Sequence, residues 1–250
     1  MKKKLFCAFL TLGFPSVEAT GKLIEGFAAR GVDIIELGFP FSDPLADGPM
    51  IQYSSEAALR KGVTMEDAFR LVRNLRKRGV TVPIIFFSYL NPIYHFGEEK
   101  FPLRLKREGF DGLIVPDCPP DEDAKLWQAC KRAGIATVFL VAPTSTPERT
   151  RKIFARSEGF LYYVSLRGVT GARRALAEDL KPNLKKLRRI GKKAVLVGFG
   201  VSSPQQVKNL ARISDGVIVG SAIVERIRKS KGNLKPVFSF VESLVAQLGP

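Results

Sequence analysis

The sequence predicts an α/β protein with one domain, a (β/α)8 TIM barrel built on an eight-stranded parallel core. Three observations predict it. Short apolar runs rich in β-branched and aromatic residues recur at intervals of about 25 to 35 residues. Between them lie amphipathic segments with helix start and stop signals. The 250-residue chain, 45% hydrophobic, is long enough for one sizeable core and matches the usual length of such a barrel.

The elements justify this in order. The first run, 5–13, reads "LFCAFLTLG", and "SVEATGKLIEGFAARG" follows with Ser16 as an N-cap and Gly31 as a stop. The second run, 32–38, is "VDIIELG"; after a loop comes "TMEDAFRLVRNLRKRG", opened by Thr64. The third, 82–89, precedes "EEKFPLRLKREG", and the fourth, 112–117, precedes "DEDAKLWQACKRAG", with Asp121 placed to cap. Runs five and six, 136–143 and 160–166, flank "TPERTRKIFARSEG"; run six is followed by "LKPNLKKLRRIGKK". Run seven, 193–200, leads into "SPQQVKNLARIS", and run eight, 216–220, into a short helix at Ser221 and then "VFSFVESLVAQLG". Strands apolar on both faces and joined by helices imply a parallel sheet, and eight such units imply closure. No linker or low-complexity segment divides residues 1–250.

Composition narrows the function. The apolar runs, about four to nine residues long, fall well short of the roughly 20 needed to cross a bilayer, so no membrane association is expected. The opening "MKKKLFCAFLTLGFP" imitates a secretory leader but lacks a small-residue cleavage site and enters the repeating pattern directly, so it reads as the first strand. Cys7, Cys118 and Cys130 are too widely spaced for a disulfide framework or a metal cluster, which fits a reducing cytoplasm. The formal charge of +16 is concentrated in helical segments with Leu, Val and Ile at helical spacing. That is the pattern of solvated helix faces, and without aromatic interleaving it does not argue for nucleic acid.

Chemistry concentrates in "ELGFPFSDPLADGP", residues 36–49. Glu36, Asp43 and Asp47 stand among Gly, Pro, Leu37, Phe39, Phe41 and Leu45, in a stiff apolar turn that offers no ion-pair partner. Barrel catalytic residues sit at the C-terminal ends of strands and in the loops beyond, where Glu36 and Asp47 fall. At the same end lie "SLRGVTGAR", "GFGVSSP" and "VGSAIV", glycine turns whose backbone N–H groups can approach an anion, with Ser221 opening a helix. A surface loop of solvated acids and ordinary βα turns are the plain alternatives. The sole histidine, His95, reads as a surface residue rather than a ligand or base.

These segments, with "FLTLGFPS", "FFSYLNPIYHFG" and "GLIVPDCPPDE", resemble the signature segments of the tryptophan synthase alpha subunit family, in order and over essentially the whole chain from residue 5. The resemblance implies cleavage of indole-3-glycerol phosphate to indole and glyceraldehyde 3-phosphate, a retro-aldol reaction without cofactor or metal. It also implies a beta-subunit partner in an alpha2beta2 complex that consumes the indole. It makes Glu36 the general acid–base and Asp47 the carboxylate facing the indole N–H. Gly171, Gly200, Gly220 and Ser221 match phosphate-binding turns, with Gly198 just before them. Phe9, Phe87, Tyr162, Phe199 and Ile218 match or occupy positions lining the indole pocket, although barrel packing explains each aromatic equally well. Thr170 matches a lid residue that approaches Asp47. Tyr89 supports the site; Asp43, Pro44, Asn91, Tyr94 and Pro119 fall on the partner-facing rim.

Some features depart from the family pattern. The helix that commonly plugs the barrel bottom is expected to be short or absent, and Phe14, Cys118 and Arg167 replace other residue types. Two rival readings stand: another phosphate-binding barrel of tryptophan or histidine biosynthesis, which would lack the acidic second loop, and a catalytically idle activating subunit.

Overall fold

A computed structural model describes residues 3–164, 173–198 and 200–249, and their side chains except those of 173–179. The strands are β1 (Leu5–Thr11), β2 (Ile34–Gly38), β3 (Ile84–Phe87), β4 (Gly112–Ile114), β5 (Ala136–Thr137), β6 (Leu140–Val141), β7 (Phe160–Val164), β8 (Ala194–Gly198) and β9 (Gly216–Val219). They pair in the order β5-β4-β3-β2-β1-β9-β8-β7-β6, all parallel. β5 and β6 are halves of the predicted fifth strand. Val138 N donates to Leu113 O of β4 at 3.1 Å, and Phe139 O accepts from Tyr162 N of β7 at 3.2 Å. The segment thus passes the pairing from one end of the row to the other and closes the barrel. Nine segments are eight strands, one of them interrupted where its partner changes.

Strand alternation sorts the side chains. Cys7, Ile34, Ile85, Ile114, Phe160, Tyr162, Leu196 and Ile218 pack in the barrel interior. The alternate residues, among them Phe6, Leu10, Ile35, Leu37 and Phe86, pack outward against the helices. This double burial explains why the runs read as continuously apolar. Phe86 is enclosed by Phe101 at 5.2 Å and Phe110 at 5.4 Å, ring centre to ring centre; truncating such a side chain to Ala typically costs about 3–5 kcal/mol.

The helices are α1 (Val17–Ala28), α2 (Pro49–Leu59), α3 (Met65–Lys77), α4 (Leu90–Phe96), α5 (Lys100–Glu108), α6 (Ala124–Ala133), α7 (Pro147–Arg156), α8 (Arg173–Ile190), α9 (Pro204–Ala211), α10 (Ser221–Ser230) and α11 (Lys235–Val245). Ser16, Thr64, Thr146 and Ser203 cap α1, α3, α7 and α9 as read from sequence; Asp123 rather than Asp121 caps α6. α2 was not expected, because its inward face presents Ser54 and Ser55 instead of an apolar stripe. A 2.7 Å hydrogen bond between Ser54 Oγ and Thr11 Oγ1 satisfies that face against β1. α4 likewise fills a loop at the barrel mouth. α8 begins before Leu180, with Pro182 inside it rather than at its start.

The basic residues lie largely on exposed helix faces and many are ion-paired. Arg73 and Arg104 converge on the buried Glu108 and tie α3 to α5, holding its carboxyl below the usual range. Among the described residues no helix is long and apolar enough to cross a membrane.

Candidate active site

β2 carries Glu36 to the mouth end of the barrel, and strand alternation turns its side chain inward, where it is 1% exposed. Burial pushes its carboxyl up to about 8, opposed by a hydrogen bond from the Cys7 thiol. Among the described residues, the buried Oε1 has no hydrogen-bond partner. A buried polar atom without a partner in the protein is an atom available to a ligand.

Asp47 lies in the loop between β2 and α2. The loop is stiffened locally: Asp47 N donates to Pro44 O at 3.0 Å, and Gln52 Nε2 donates to Asp47 O at 2.8 Å. Tyr89, at the end of the β3 segment, locks it from the side. Its hydroxyl accepts from Ala46 N at 2.9 Å, and its ring lies 5.3 Å from that of Phe41. Burial raises the Asp47 carboxyl to about 6, opposed by the Tyr89 hydroxyl. Near neutral pH, Glu36 is therefore mostly protonated and Asp47 mostly ionised. One environment makes an acid, the other a counter-charge.

Phe9 and Phe87 meet edge to face at 5.7 Å. Tyr162 is buried, its phenol pushed up by burial and then by the charges of Glu36, Cys7 and Asp47, which puts both acids within electrostatic reach of it. Two glycines make room. A Cβ on Gly38 would sit 2.4 Å from the Phe9 ring, and one on Gly198 would sit 2.7 Å from the Tyr162 hydroxyl. Gly198 thus seats an aromatic wall. Ile218 is buried in the same interior cluster.

Across the mouth, Gly200 adopts φ +68°, a conformation that disfavours any side chain. Gly220 is the N-cap of α10, whose first turn has no side-chain cap and no acid. Ile223 N and Val224 N both donate to Gly220 O, at 2.8 and 3.1 Å. The N–H groups of Ser221 and Ala222 precede them at the positive end of the helix dipole. By contrast, α9 next door is closed by its own Ser203 and by Gln206, which accepts from Ser202 N at 2.7 Å. Thr170, Gly171, Phe199 and the departure Arg167 lie outside the described residues.

The rim residues fall in the segments that follow β2, β3 and β4. Asp43 is exposed and accepts from Ser42 Oγ, Pro44 is half-buried, Asn91 is exposed on α4, and Pro119 O accepts from Trp127 Nε1 at 3.3 Å. Tyr94 is 51% exposed and Leu45, unassigned from sequence, is 93% exposed. A groove between Phe39, Phe41, Asn91, Pro92 and Phe96 opens on the same rim, next to the exposed His95. Cys7 is a neighbour that sequence reasoning missed; the pairing of β1 with β2 sets it opposite Ile34, two residues before Glu36.

A buried acid paired with a loop-borne carboxylate, between aromatic walls and an open helix N-terminus at a barrel mouth, defines an acid–base enzyme for a substrate with a flat apolar part and an anionic part. Sequence comparison makes that class particular. The chain belongs to the tryptophan synthase alpha chain family, which it matches over residues 1–248. It is 42% identical over 243 residues to the tryptophan synthase alpha chain of Dehalococcoides mccartyi, covering 97% of this chain and 94% of the relative. The crystal structure of the alpha subunit from Legionella pneumophila superposes with a TM-score of 0.91 at 32% identity, covering 98% and 92% of the two chains. A tryptophan synthase chain from M. tuberculosis superposes at 0.88 with 33% identity, over 99% and 93%. The family is a lyase of tryptophan biosynthesis that cleaves indole-3-glycerol phosphate to indole and glyceraldehyde 3-phosphate, and its alpha chain pairs with a beta subunit. The reading as a different phosphate-binding barrel is set aside by these matches.

Proposed function

We propose that this chain performs that cleavage in the cytoplasm with Glu36 as proton shuttle, Asp47 as counter-charge and the α10 N-terminus as phosphate site. The observation that carries the assignment is the buried Glu36 carboxyl, raised to about 8 by burial and with Oε1 unpartnered among the described residues, whose charge and that of Asp47 both act on the Tyr162 phenol. The protonated Glu36 delivers its proton to indole carbon 3. The positive charge that develops at the ring nitrogen is met by ionised Asp47. The glycerol hydroxyl beside the breaking bond then returns a proton to Glu36 as its oxygen becomes the aldehyde, and the bond's electron pair restores the indole double bond. One proton enters and one leaves, so the acid is regenerated.

Phe9, Phe87, Tyr162 and Ile218 clasp the indole ring. Backbone amides at Gly171, Gly200, Gly220 and Ser221 hold the phosphate, Thr170 serves opposite Asp47, and Phe199 contacts the indole. The rim bearing Asp43, Pro44, Asn91, Tyr94 and Pro119 receives the beta subunit, and docking orders the loop that carries Asp47. Retention of both carboxylates, with opposite protonation states at neutral pH, supports a working enzyme over an idle subunit. The test is indole release from indole-3-glycerol phosphate by the chain alone and with a beta subunit. Glu36→Gln and Asp47→Asn are each expected to lower turnover at least ~10²-fold. Near-normal turnover in either variant removes that residue's role.

A further inference from the structure

Behind β6 and β7, on the outer side of the barrel wall, α7 and α8 leave a cavity of about 390 Å³ between them, lined by none of the site residues named above. Val141 of β6 pairs with Tyr163 of β7, and these two outward-facing residues form its buried floor with Leu187 of α8. Tyr163 acts as a spacer: it is longer than Leu161, Val195 and Val197, which also pack outward, and Asn183 Nδ2 of α8 donates to its hydroxyl at 3.1 Å. Pro143, Pro147 and Ile190 complete the apolar lining. The charges around it are of one sign. Arg151, Lys186 and Arg189 border the cavity, and among the described residues no Asp or Glu does. Their sequence neighbours find acids: Lys152 pairs with Glu148 at 3.1 Å, and Arg188 with Asp215 at 3.4 Å. The three at the cavity are in no ion pair among the described residues. Ser145 Oγ accepts from Ala142 N at 3.1 Å, which leaves its O–H as a further donor on the lining.

We propose that this cavity between α7 and α8 is a second binding site, for an organic phosphate that carries a flat apolar ring. Cavities of roughly 300–1,000 Å³ with apolar walls and a few placed polar groups are the usual seats of small molecules. The faces of Tyr163, Pro143 and Pro147 suit a ring rather than a flexible chain. Two guanidinium forks match phosphate oxygens in pairs, and Lys186 adds a point charge. The division of the lining sets the pose. The ring enters on the buried floor, while the phosphate stays at the exposed rim, so no charge on either partner has to be stripped of water. Lys181 and Lys185, also exposed on α8, border no cavity and are ordinary solvated charges. What sets Arg151, Lys186 and Arg189 apart is the apolar hollow they surround.

The test is calorimetric titration of the full chain with ADP, which has ring and phosphates, and with inorganic pyrophosphate, which has the phosphates alone. ADP is expected to bind one to one, and at least ~10-fold tighter than pyrophosphate because its ring leaves water. Lys186→Glu/Arg189→Glu should weaken ADP at least ~10-fold, the low end for contacts to charged groups. Lys181→Glu/Lys185→Glu makes the same change of charge away from the cavity and should bind ADP nearly as wild type does. All four side chains are exposed on a helix, so the variants are expected to fold. Gly220→Asp, which alters the α10 N-terminus instead, should leave ADP affinity unchanged. No ADP binding at millimolar concentration, or equal affinity for ADP and pyrophosphate, overturns the site. So do equal losses in the two double variants, which would make the attraction a general one, and loss of ADP in Gly220→Asp, which would put the probe at the barrel mouth.

Discussion

Glu36→Gln should make the protein more stable as it makes the enzyme inactive, and the gain should grow with pH. The carboxyl is raised from its ordinary 4.5 to about 8, chiefly by burial. Between those values the unfolded chain releases the proton and the native state keeps it. Each pH step upward therefore favours unfolding, by up to about 1.4 kcal/mol per unit. Integrating from 4.5 to 8 puts the destabilisation at about 1 kcal/mol at pH 5 and about 4 kcal/mol at pH 8. A glutamine of the same shape carries no such penalty and, like the protonated acid, keeps a neutral head group in the pocket. Denaturant titrations of both proteins at pH 5, 6, 7 and 8 should show the midpoints close together at the acid end. They should diverge toward pH 8, with the variant the more stable. A stability difference that is constant across the series would mean that Glu36 ionises in the native barrel, and its role as a neutral-pH acid would be lost.

Three further outcomes follow from the geometry. Gly220→Asp should weaken binding of glyceraldehyde phosphate severely, since the added Cβ approaches Phe9 at 3.3 Å and the carboxylate repels the anion at the α10 N-terminus; unchanged affinity by calorimetry would put the phosphate elsewhere. Tyr89→Phe removes the hydroxyl that accepts from Ala46 N and opposes the rise of the Asp47 carboxyl, and should cut kcat at least roughly 10-fold, taking about 1.5 kcal/mol as the low end for bonds to a charged group, while wild-type kcat in the variant would show that the loop needs no such lock. Pro44→Gly and Tyr94→Ala should reduce activation by a beta subunit far more than the basal rate of the isolated chain, and equal losses in both assays would exclude the rim as the coupling surface.

The barrel was legible because its strands are buried on both faces and punctuated by glycine, a signal that depends on local sequence alone. What was not legible depends on partners distant in sequence. α2 hides behind Ser54 and Ser55, which look solvent-facing until Thr11 is brought opposite them. The break in the fifth strand marks a change of neighbour from β4 to β7, which no local pattern encodes. At the site, Glu36 and Asp47 were readable from a motif, but their different protonation states were not. Those come from depth in the barrel for one and from a half-open loop held by Tyr89 for the other. Gly198 looked like part of an anion turn, and its lack of a side chain turns out to seat Tyr162.

This division between strand and loop bears on how a partner can control the reaction. Glu36 is carried by β2, paired on both sides by β1 and β3, and its surroundings are the packed barrel interior. A protein docking on the rim cannot change them without disturbing the core, and packed cores resist such adjustment. Asp47 is held by a short loop whose anchors include Pro44 O, Gln52 and one tyrosine hydroxyl, and whose outermost residue, Leu45, is almost wholly exposed. Covering Leu45 and Tyr94 would bury apolar surface and draw on that energy to order the loop. Activation by the beta subunit should therefore act through the counter-charge at the indole nitrogen and leave the proton donor as it is. In kinetic language, docking should raise kcat while the Glu36 limb of the pH profile stays where it lies in the isolated chain.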